Sequence, residues 1–204
     1  MGGLHHVRCF WLPMIKEILE DGWLLFDPEF LKGNDADLLF DNLHTSLPWE
    51  QGKVNIFGKT YATPRLESLH VVDGKSYSYS GNTLISHPFN AELDELKKKI
   101  ETASGQSFNC VLANLYRDGK DSNGWHADNE RELGINPVIA SISLGAARRF
   151  DLKHNTTGEL KQVILPHGSL LLMGGTMQHH WKHCIAKTAK IHQPRINLTF
   201  RKLV

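Results

Sequence analysis

The stretch from Trp125 to Asp128 contains two side chains that could bind one metal ion, His126 and Asp128. On an extended segment, residues i and i+2 point to the same side, so this imidazole and this carboxylate can face one ion. A second imidazole would complete the two-histidine, one-carboxylate set that binds non-haem Fe(II) and leaves coordination positions open. The spacing alone also fits a chance pair, because the chain contains 12 histidines.

The third ligand has three candidates in the second half of the chain: His179, His180 and His183. The alternation of side chains along an extended segment leaves all three open.

The segment Arg195–Arg201 has the alternation of a strand with one apolar and one polar face. Arg195, Asn197, Thr199 and Arg201 share the polar face. The two arginines are roughly 20 Å apart along the strand at about 3.3 Å per residue, so they act in different parts of the site. One could bind the distal carboxylate of a short dicarboxylate through a bidentate pair, and the other could lie near the metal. The alternative is an edge strand with two exposed arginines.

A second strand, predicted over 109–116, directs Asn114 and Tyr116 to the same side. We expect these two side chains to share one space with the polar face of the segment Arg195–Arg201.

Length and composition indicate an ordinary globular protein, with 204 residues, 41% hydrophobic and 22% charged. We expect one domain over 1–204. Three widely spaced cysteines without a Cys-x-x-Cys pattern argue against a disulfide framework, and no apolar run is long enough to cross a membrane. These features predict an intracellular protein, cytoplasmic if bacterial and nuclear if eukaryotic.

The charge distribution is uneven although the formal net charge is only +1. No acidic residue follows Glu159, whereas the remaining chain has several lysines and arginines. This bias could meet phosphates, or it could simply balance an acidic first half.

The hydrophobic pattern predicts a mainly β fold with supporting helices (α+β). Apolar spacing predicts helical structure over 15–47, within a helical N-terminal extension of 1–50, and one amphipathic helix over 91–102. Short extended pieces begin at 54, and from 105 to 204 the chain is nearly all strand with glycine turns. Many short strands of this kind favour a jelly roll, that is, a double-stranded β-helix, over 105–204.

Four motifs together resemble the AlkB family of Fe(II)- and 2-oxoglutarate-dependent nucleic-acid dealkylases. The resemblance covers about 54–204. It is closest to members that act on duplex DNA, because residues 56–59 and 77–81 also look like their substrate-side elements. The four motifs are His126-Ala127-Asp128, Asn114 to Gly119, Ile139 to Gly145 and Arg195 to Arg201.

The resemblance implies a role for each site residue. His183 is chosen as the third ligand, beside His126 and Asp128. Arg195 would bind the far carboxylate of 2-oxoglutarate with help from Tyr116. Asn114 and Arg201 would act near the metal-bound end of 2-oxoglutarate, and Asn197 would support the site.

The family's activity is oxidative removal of alkyl groups from bases such as 1-methyladenine and 3-methylcytosine. The implied cofactors are Fe(II), 2-oxoglutarate and O₂, and the implied products are succinate, CO₂ and formaldehyde. Residues 54–104 would form a nucleotide-recognition lid with its supporting helix. The implied partner is DNA, duplex and single-stranded, with RNA as a further candidate, and we expect a monomer that does not bind membranes.

A base within a duplex must be flipped out to reach such a site. By resemblance, Tyr79 would stack on the flipped base and Tyr77 is a second pocket candidate. Glu130 would recognise an exocyclic amine. Arg65 could contact a phosphate or the lesion, and Phe57 could fill the gap left in the base stack.

Two other functions remain open from the sequence. One is an oxygenase of the same fold that acts on RNA or protein. The other is a jelly-roll binding module that has kept a metal site but lost oxidation. The complete set of metal ligands and arginines argues against the second, because a binding module needs no carboxylate site beside its metal.

Overall fold

Two β-sheets form most of the regular structure in a computed structural model, which describes residues 14–56, 58–72, 78–79 and 82–204. Among these residues, the larger sheet has nine strands and the smaller sheet has four, and two further short strands pair with each other.

The strands before the middle of the chain are β1 Ile15–Leu19, β2 Gly22–Asp27, β3 Glu50–Ile56, β4 Lys59–Val71, β5 Ser78–Tyr79, β6 Asn82–Thr83 and β7 Ser86–His87. Those that follow are β8 Cys110–Tyr116, β9 Asn123–His126, β10 Ile139–Gly145, β11 Arg148–His154, β12 Leu160–Leu165, β13 Ser169–Gly174, β14 Trp181–Ile185 and β15 Arg195–Arg201. The helices are α1 Gly33–Ser46, α2 Ala91–Ser104 and α3 Met177–His180, and Arg131–Leu133 forms a 3-10 turn.

The larger sheet has the strand order β1-β2-β13-β10-β15-β8-β4-β3, with β7 paired to β4. The smaller sheet has the order β12-β11-β14-β9, and β5 pairs with β6.

The larger sheet is covered on both faces, so β8 and β15 are buried along their whole length. One face packs against α1 and α2 through a single apolar cluster, which includes Leu43, Leu93, Ala113 and Leu198. The opposite face looks toward the smaller sheet. Side chains alternate between the two faces, and polar residues of β15 and β8 are therefore buried between the sheets. This is a mainly β fold with supporting helices and two facing sheets, the jelly roll predicted from the sequence.

Helix α2 has well-defined ends that agree with its predicted position. The Asn90 side chain accepts a hydrogen bond from the backbone N–H of Leu93 at 2.9 Å, which satisfies a donor of the first turn. Gly105 ends the helix at φ 67°, a left-handed conformation that glycine adopts without a Cβ penalty.

The prediction of helical structure is wrong for residues 15–27. They form the hairpin β1–β2, in which Leu19 pairs with Gly22 and Asp21 takes a left-handed φ of 57°. Strand β2 also pairs with β13 of the larger sheet. The apolar spacing here spans few residues, and pairing with an existing sheet edge outweighs the weak helical pattern. The second predicted segment does form a helix, α1.

None of the helices among the described residues combines the length and the apolar character needed to cross a bilayer.

Candidate metal and cosubstrate site

His126, Asp128 and His183 lie together between the two sheets. One ligand atom from each lies within 4.8 Å of the others, and the His183 Nε2 atom is 3.8 Å from Asp128 Oδ2. His126 is at the end of β9, and Cα pairing across the sheet places His183 of β14 opposite it. The smaller sheet thus brings together ligands that are far apart in sequence. Neither His179 nor His180 belongs to this group.

The hydrogen bonds of His126 leave its Nε2 atom suited to metal binding. Its Nδ1 atom is 2.8 Å from the carbonyl oxygen of Gly124, which can only accept, so Nδ1 carries the hydrogen. The Nε2 atom is then the acceptor, and it accepts from the side-chain amide of Asn123 at 3.3 Å, a single contact that a metal ion would replace. A partner that fixes the tautomer through the second nitrogen is the usual support of a metal-binding imidazole.

The Asp128 carboxylate is a buried negative charge with strong compensation. Arg201 Nη2 donates to Asp128 Oδ1 at 2.5 Å, and both side chains are 2% exposed. Burial acts to raise the pKa of Asp128, but the charge of Arg201, followed by those of His183 and His126, lowers it to about 2. The carboxyl is therefore ionised at neutral pH, as a metal ligand must be.

The two imidazoles are neutral at the same pH. Burial, followed by the effect of the nearby His126, lowers the pKa of His183 to about 3. Burial also lowers the pKa of His126. Both rings can offer a lone pair without first releasing a proton.

A second group in the described part of the chain, Asp21, His154 and His180, has ligand atoms at similar spacing. Its hydrogen bonds differ from those of the first group. His154 Nδ1 accepts from the backbone N–H groups of Thr156 and Thr157, at 3.3 and 3.1 Å, so its Nε2 carries the hydrogen and donates to Asp21 Oδ2 at 3.2 Å. If His154 Nε2 bound a metal, the ring hydrogen would have to lie on Nδ1. It would then face the N–H groups of Thr156 and Thr157, which are themselves donors. This group is a contact that joins the β1–β2 turn, β11 and α3.

Arg195 lies at the other end of β15 from Arg201 and faces the same cavity. Its Nη2 atom donates to Ser143 Oγ at 2.9 Å, and its guanidinium lies 5.2 Å from the centre of the Tyr116 ring. Its Nε and Nη1 atoms are buried without a hydrogen-bond partner within the described ranges. Burial lowers the pKa of Arg195 to about 10, so the group remains charged at neutral pH. Two unpaired donors on a buried cation suit a bidentate carboxylate.

The cavity between these ends is lined by the three candidate ligands, by Arg195 and Arg201, and by Asn114, Tyr116 and Asn197. The predicted sharing of one space by these side chains is therefore observed. Asn197 donates to Ser141 Oγ at 2.8 Å and accepts from Thr199 Oγ1 at 3.1 Å, which fixes its amide on the sheet.

Arg65, for which a contact with a phosphate or the lesion was predicted, lies buried beside the cavity. Arg65 is 5% exposed and donates to Asn114 Oδ1, to Glu67 Oε1 and to the carbonyl of Ser122. Arg65 lies on β4, which pairs with β8. Its side chain points to the same side of the larger sheet as Asn114 of β8. It holds the cavity residue Asn114 in position.

The remaining substrate candidates are Glu130, Phe57, Tyr77 and Tyr79. Glu130 is half-buried, its Oε2 atom has no hydrogen-bond partner among the described residues, and burial raises the pKa of its carboxyl. Phe57 and Tyr77 lie outside the described residues. Tyr79 belongs to the short strand β5, and only its backbone is described.

Three supporting residues were not identified from the sequence. Gln178 of α3 accepts from the backbone N–H of Asp128 at 2.9 Å, and Arg148 donates to the carbonyls of Asp118, Asp121 and Ala186. Neither position has a sequence pattern that indicates this role. Ser143, which holds Arg195, has one: Ser141 and Ser143 interrupt a buried apolar strand with period two.

Comparison with known proteins supports a specific family. The model of the 2OG-Fe(II) oxygenase superfamily matches residues 24–201. DNA oxidative demethylase ALKBH2 of Mus musculus is 37% identical over 181 residues, which are 83% of this chain and 76% of that protein. Alpha-ketoglutarate-dependent dioxygenase alkB homolog 3 of Bos taurus is 39% identical over 184 residues, 85% of this chain and 64% of that protein.

The chain belongs to the AlkB family of 2OG-Fe(II) oxygenases.

The fold of this AlkB-family chain is also found in solved structures. That of OsALKBH1 has a TM-score of 0.60 at 18% identity and covers 92% of this chain and 100% of the other. A 2OG-Fe(II) oxygenase family oxidoreductase from Burkholderia pseudomallei has a TM-score of 0.58 at 13% identity, with 87% and 84% covered. The chain spans slightly less than two thirds of two curated relatives, 65% of ALKBH2 and 64% of alkB homolog 3, both of Bos taurus.

The cofactors of the family are Fe(II), 2-oxoglutarate and O₂, and the cavity fits the first two. The ionised Asp128 and the two neutral imidazoles form the face that such an iron requires. The unpaired Nε and Nη1 donors of Arg195 suit the far carboxylate of 2-oxoglutarate.

We expect His183→Ala and Asp128→Ala each to abolish turnover and weaken iron binding, because either change removes a ligand. His180→Ala should keep substantial activity, since His180 belongs to the contact with Asp21. Anaerobic titration with Fe(II) and 2-oxoglutarate, followed by the visible charge-transfer band, measures binding. An inactive His180→Ala beside an active His183→Ala would contradict the assignment.

Arg195→Ala should weaken 2-oxoglutarate binding by about 2 to 5 kcal/mol, because one carboxylate then lies buried and unpaired. The exposed Arg149→Ala is the matched control. Cosubstrate titration by tryptophan fluorescence gives the affinity, and the melting temperature reports folding. Unchanged affinity, or simple unfolding of Arg195→Ala, would contradict the role.

The metal-free protein should lose stability as the pH falls from about 6.5 toward 3. In that window the unfolded chain binds a proton at residue 183, whereas the folded chain with its pKa of about 3 does not. One such site contributes a slope of at most about 1.4 kcal/mol per pH unit. His183→Asn should reduce the slope, measured by urea unfolding between pH 7 and 5, whereas the exposed His192→Asn should not. Equal slopes in all three proteins would exclude this origin.

Proposed function

We propose that this chain is a DNA repair dioxygenase that removes alkyl groups from base nitrogens, such as the methyl groups of 1-methyladenine and 3-methylcytosine. The observation that carries the proposal is the His126–Asp128–His183 group in one cavity with Arg195, two of whose donors have no partner among the residues that the structure describes. The curated relatives named above as a DNA oxidative demethylase and an alkB homolog support the choice of substrate. An intracellular location, where DNA is found, is part of the same proposal.

Each part of the cavity has a separate task in this reaction. His126, Asp128 and His183 would hold Fe(II), and Arg195 with Tyr116 would orient 2-oxoglutarate by its far carboxylate. Arg201 keeps Asp128 ionised and in place, and Asn114 and Asn197 supply fixed amides near the bound cosubstrate. The bound cofactors supply the oxidation of the alkyl C–H bond, in which O₂ and 2-oxoglutarate are converted to CO₂, succinate and a hydroxylated alkyl group. The hydroxymethyl product then releases formaldehyde and the repaired base.

The protein contributes a buried site of fixed charge. Asp128 and His183 are both under 5% exposed, and water has little access to the reacting atoms. A target base must leave the helix to reach them, and the flipped base would lie near Glu130, whose Oε2 can accept a hydrogen bond from an exocyclic amine. Tyr79 and Tyr77 are the proposed stacking residues, and Phe57 is the proposed wedge that fills the gap in a duplex.

The test of the proposed function compares formaldehyde release from methylated single-stranded DNA, duplex DNA and RNA. Asp128→Ala is the inactive control, and anaerobic formation of the charge-transfer band separates an intact site from a module that has lost oxidation. Release from DNA at a rate above that from RNA supports the proposal. A charge-transfer band without release from any nucleic acid would favour a protein substrate.

Phe57→Ala should reduce activity on duplex DNA by about 10-fold or more, since unstacking a base costs a few kcal/mol. Activity on single strands should change little, so the single-strand rate of Phe57→Ala is the control for its duplex rate. Single-turnover rates on both substrates decide the question. Equal losses on the two, or a large fall in melting temperature, would assign Phe57 to the protein core.

A further inference from the structure

The smaller sheet has one face toward the cavity and another toward solvent, here called the outer face. The inner face carries His126 and His183, with Leu152 paired opposite His183. Side chains alternate along each strand, so the outer face carries the residues between them. Those used below are Trp125, Arg149, Lys153, Leu160, Ile164 and Lys182.

Apolar side chains on the outer face are unusually exposed. Trp125 is 48% exposed, Ile164 58% and Leu160 66%. The register between β9 and β14 shifts between His183 and Ile185, so that Gly124 and Trp125 together face one residue of the partner strand. Such a bulge turns a side chain out of the regular pattern. The indole is therefore presented to solvent directly behind the metal ligand His126.

The charges on the outer face are positive and incompletely paired. Lys153 and Lys182 are directly opposite each other in the pairing of β11 with β14. Like charges in this position destabilise a sheet unless an anion lies between them. Neither lysine has an ion pair within the described ranges, and the acidic residue of this face, Asp151, is nearly buried and paired with Arg149.

We propose that the outer face binds the single-stranded nucleic acid that flanks the target base. A phosphate lies between Lys153 and Lys182, and a base stacks on Trp125. This inference rests on the proposed function. Lys182 adjoins His183 and Trp125 adjoins His126 on opposite sides of this cross-strand pair, which makes them diagonal neighbours on adjacent strands. Such neighbours are about 7–8 Å apart, a separation that one nucleotide can bridge from phosphate to base.

Nucleic acid suits this face better than a protein partner does. The apolar core of a protein interface is depleted of charge, and two opposed lysines beside an exposed tryptophan would be poorly placed there. A single strand supplies both an anion and a flat ring at each step, the combination used by proteins that bind strands without sequence preference. Strand β9 is the edge of the smaller sheet, so a strand leaving the cavity can pass around it to Trp125.

The first test varies the length of the bound strand. Trp125→Ala should weaken the binding of an unmethylated single strand of about 15 nucleotides by roughly 5- to 20-fold, the lower part of the range for losing one base stack. Trp125→Phe should restore most of the affinity. On a methylated trinucleotide, too short to reach the outer face, Trp125→Ala should keep the wild-type KM. Leu38→Ala, which removes an exposed apolar side chain of α1, is the control.

The second test separates binding from stability. Lys153→Glu places a carboxylate opposite Lys182, so the melting temperature should rise by about 1 to 3 °C while strand affinity falls. The slope of log affinity against log salt should decrease by about 0.7, because the one phosphate between Lys153 and Lys182 is no longer neutralised. Lys98→Glu on α2 changes the net charge equally and should leave the slope nearly unchanged.

The outcomes distinguish this inference from the proposed function. Wild-type demethylation of the trinucleotide together with unchanged long-strand affinity in Trp125→Ala and Lys153→Glu would overturn the inference alone and leave the face to a protein partner. Absence of demethylation on any DNA would overturn the proposed function. The affinity measurements on unmethylated strands would then still decide whether the outer face binds nucleic acid.

Discussion

The charge of Asp128 is the constraint on which the rest of the site depends. An ionised carboxylate that is almost entirely removed from water is costly unless other groups compensate it. Arg201 supplies a full positive charge at hydrogen-bond distance from the carboxylate. The Gln178 side chain accepts a hydrogen bond from the backbone N–H of Asp128 and so fixes this part of the backbone. Both supports come from segments distant in sequence. The β15 strand and the short helix α3 must therefore be in place before the ligand is held.

The covering of the larger sheet on both faces makes this arrangement possible. Helices α1 and α2 bury the apolar face of β8 and β15, and the smaller sheet closes the polar face into a cavity. Polar residues on that inner face are expensive to bury singly, so they are joined in networks such as Asn197 with Ser141 and Thr199. Two donors of Arg195 have no partner within the described part of the chain, and a carboxylate fits there.

Much of this could be predicted from the sequence, because period-two alternation is strong in buried strands. The bounds of β15 and the shared orientation of Asn114 and Tyr116 follow directly from it. Among the three candidate histidines, alternation gave no choice, since the decision depends on the pairing of β14 with β9. The hairpin β1–β2 was mistaken for helix because its partner strand β13 lies far along the chain. The burial of Arg65 could not be predicted either, because nothing in its local sequence shows that Asn114 and Glu67 will face it.

The alternation of β15 also determines where the chain can change in length. If one residue were inserted between Gln193 and Arg195 and became part of β15, the register of the strand would shift by one residue. Its two faces would then be exchanged, and both arginines would point into the apolar cluster. A deletion within β8 would do the same to Asn114 and Tyr116. The turn from Asn155 to Glu159, between β11 and β12, has no such restriction, since its residues are exposed and outside both sheets. Natural variation in length should therefore collect in turns of this kind, whereas the spacing of residues within β8 and β15 should stay constant.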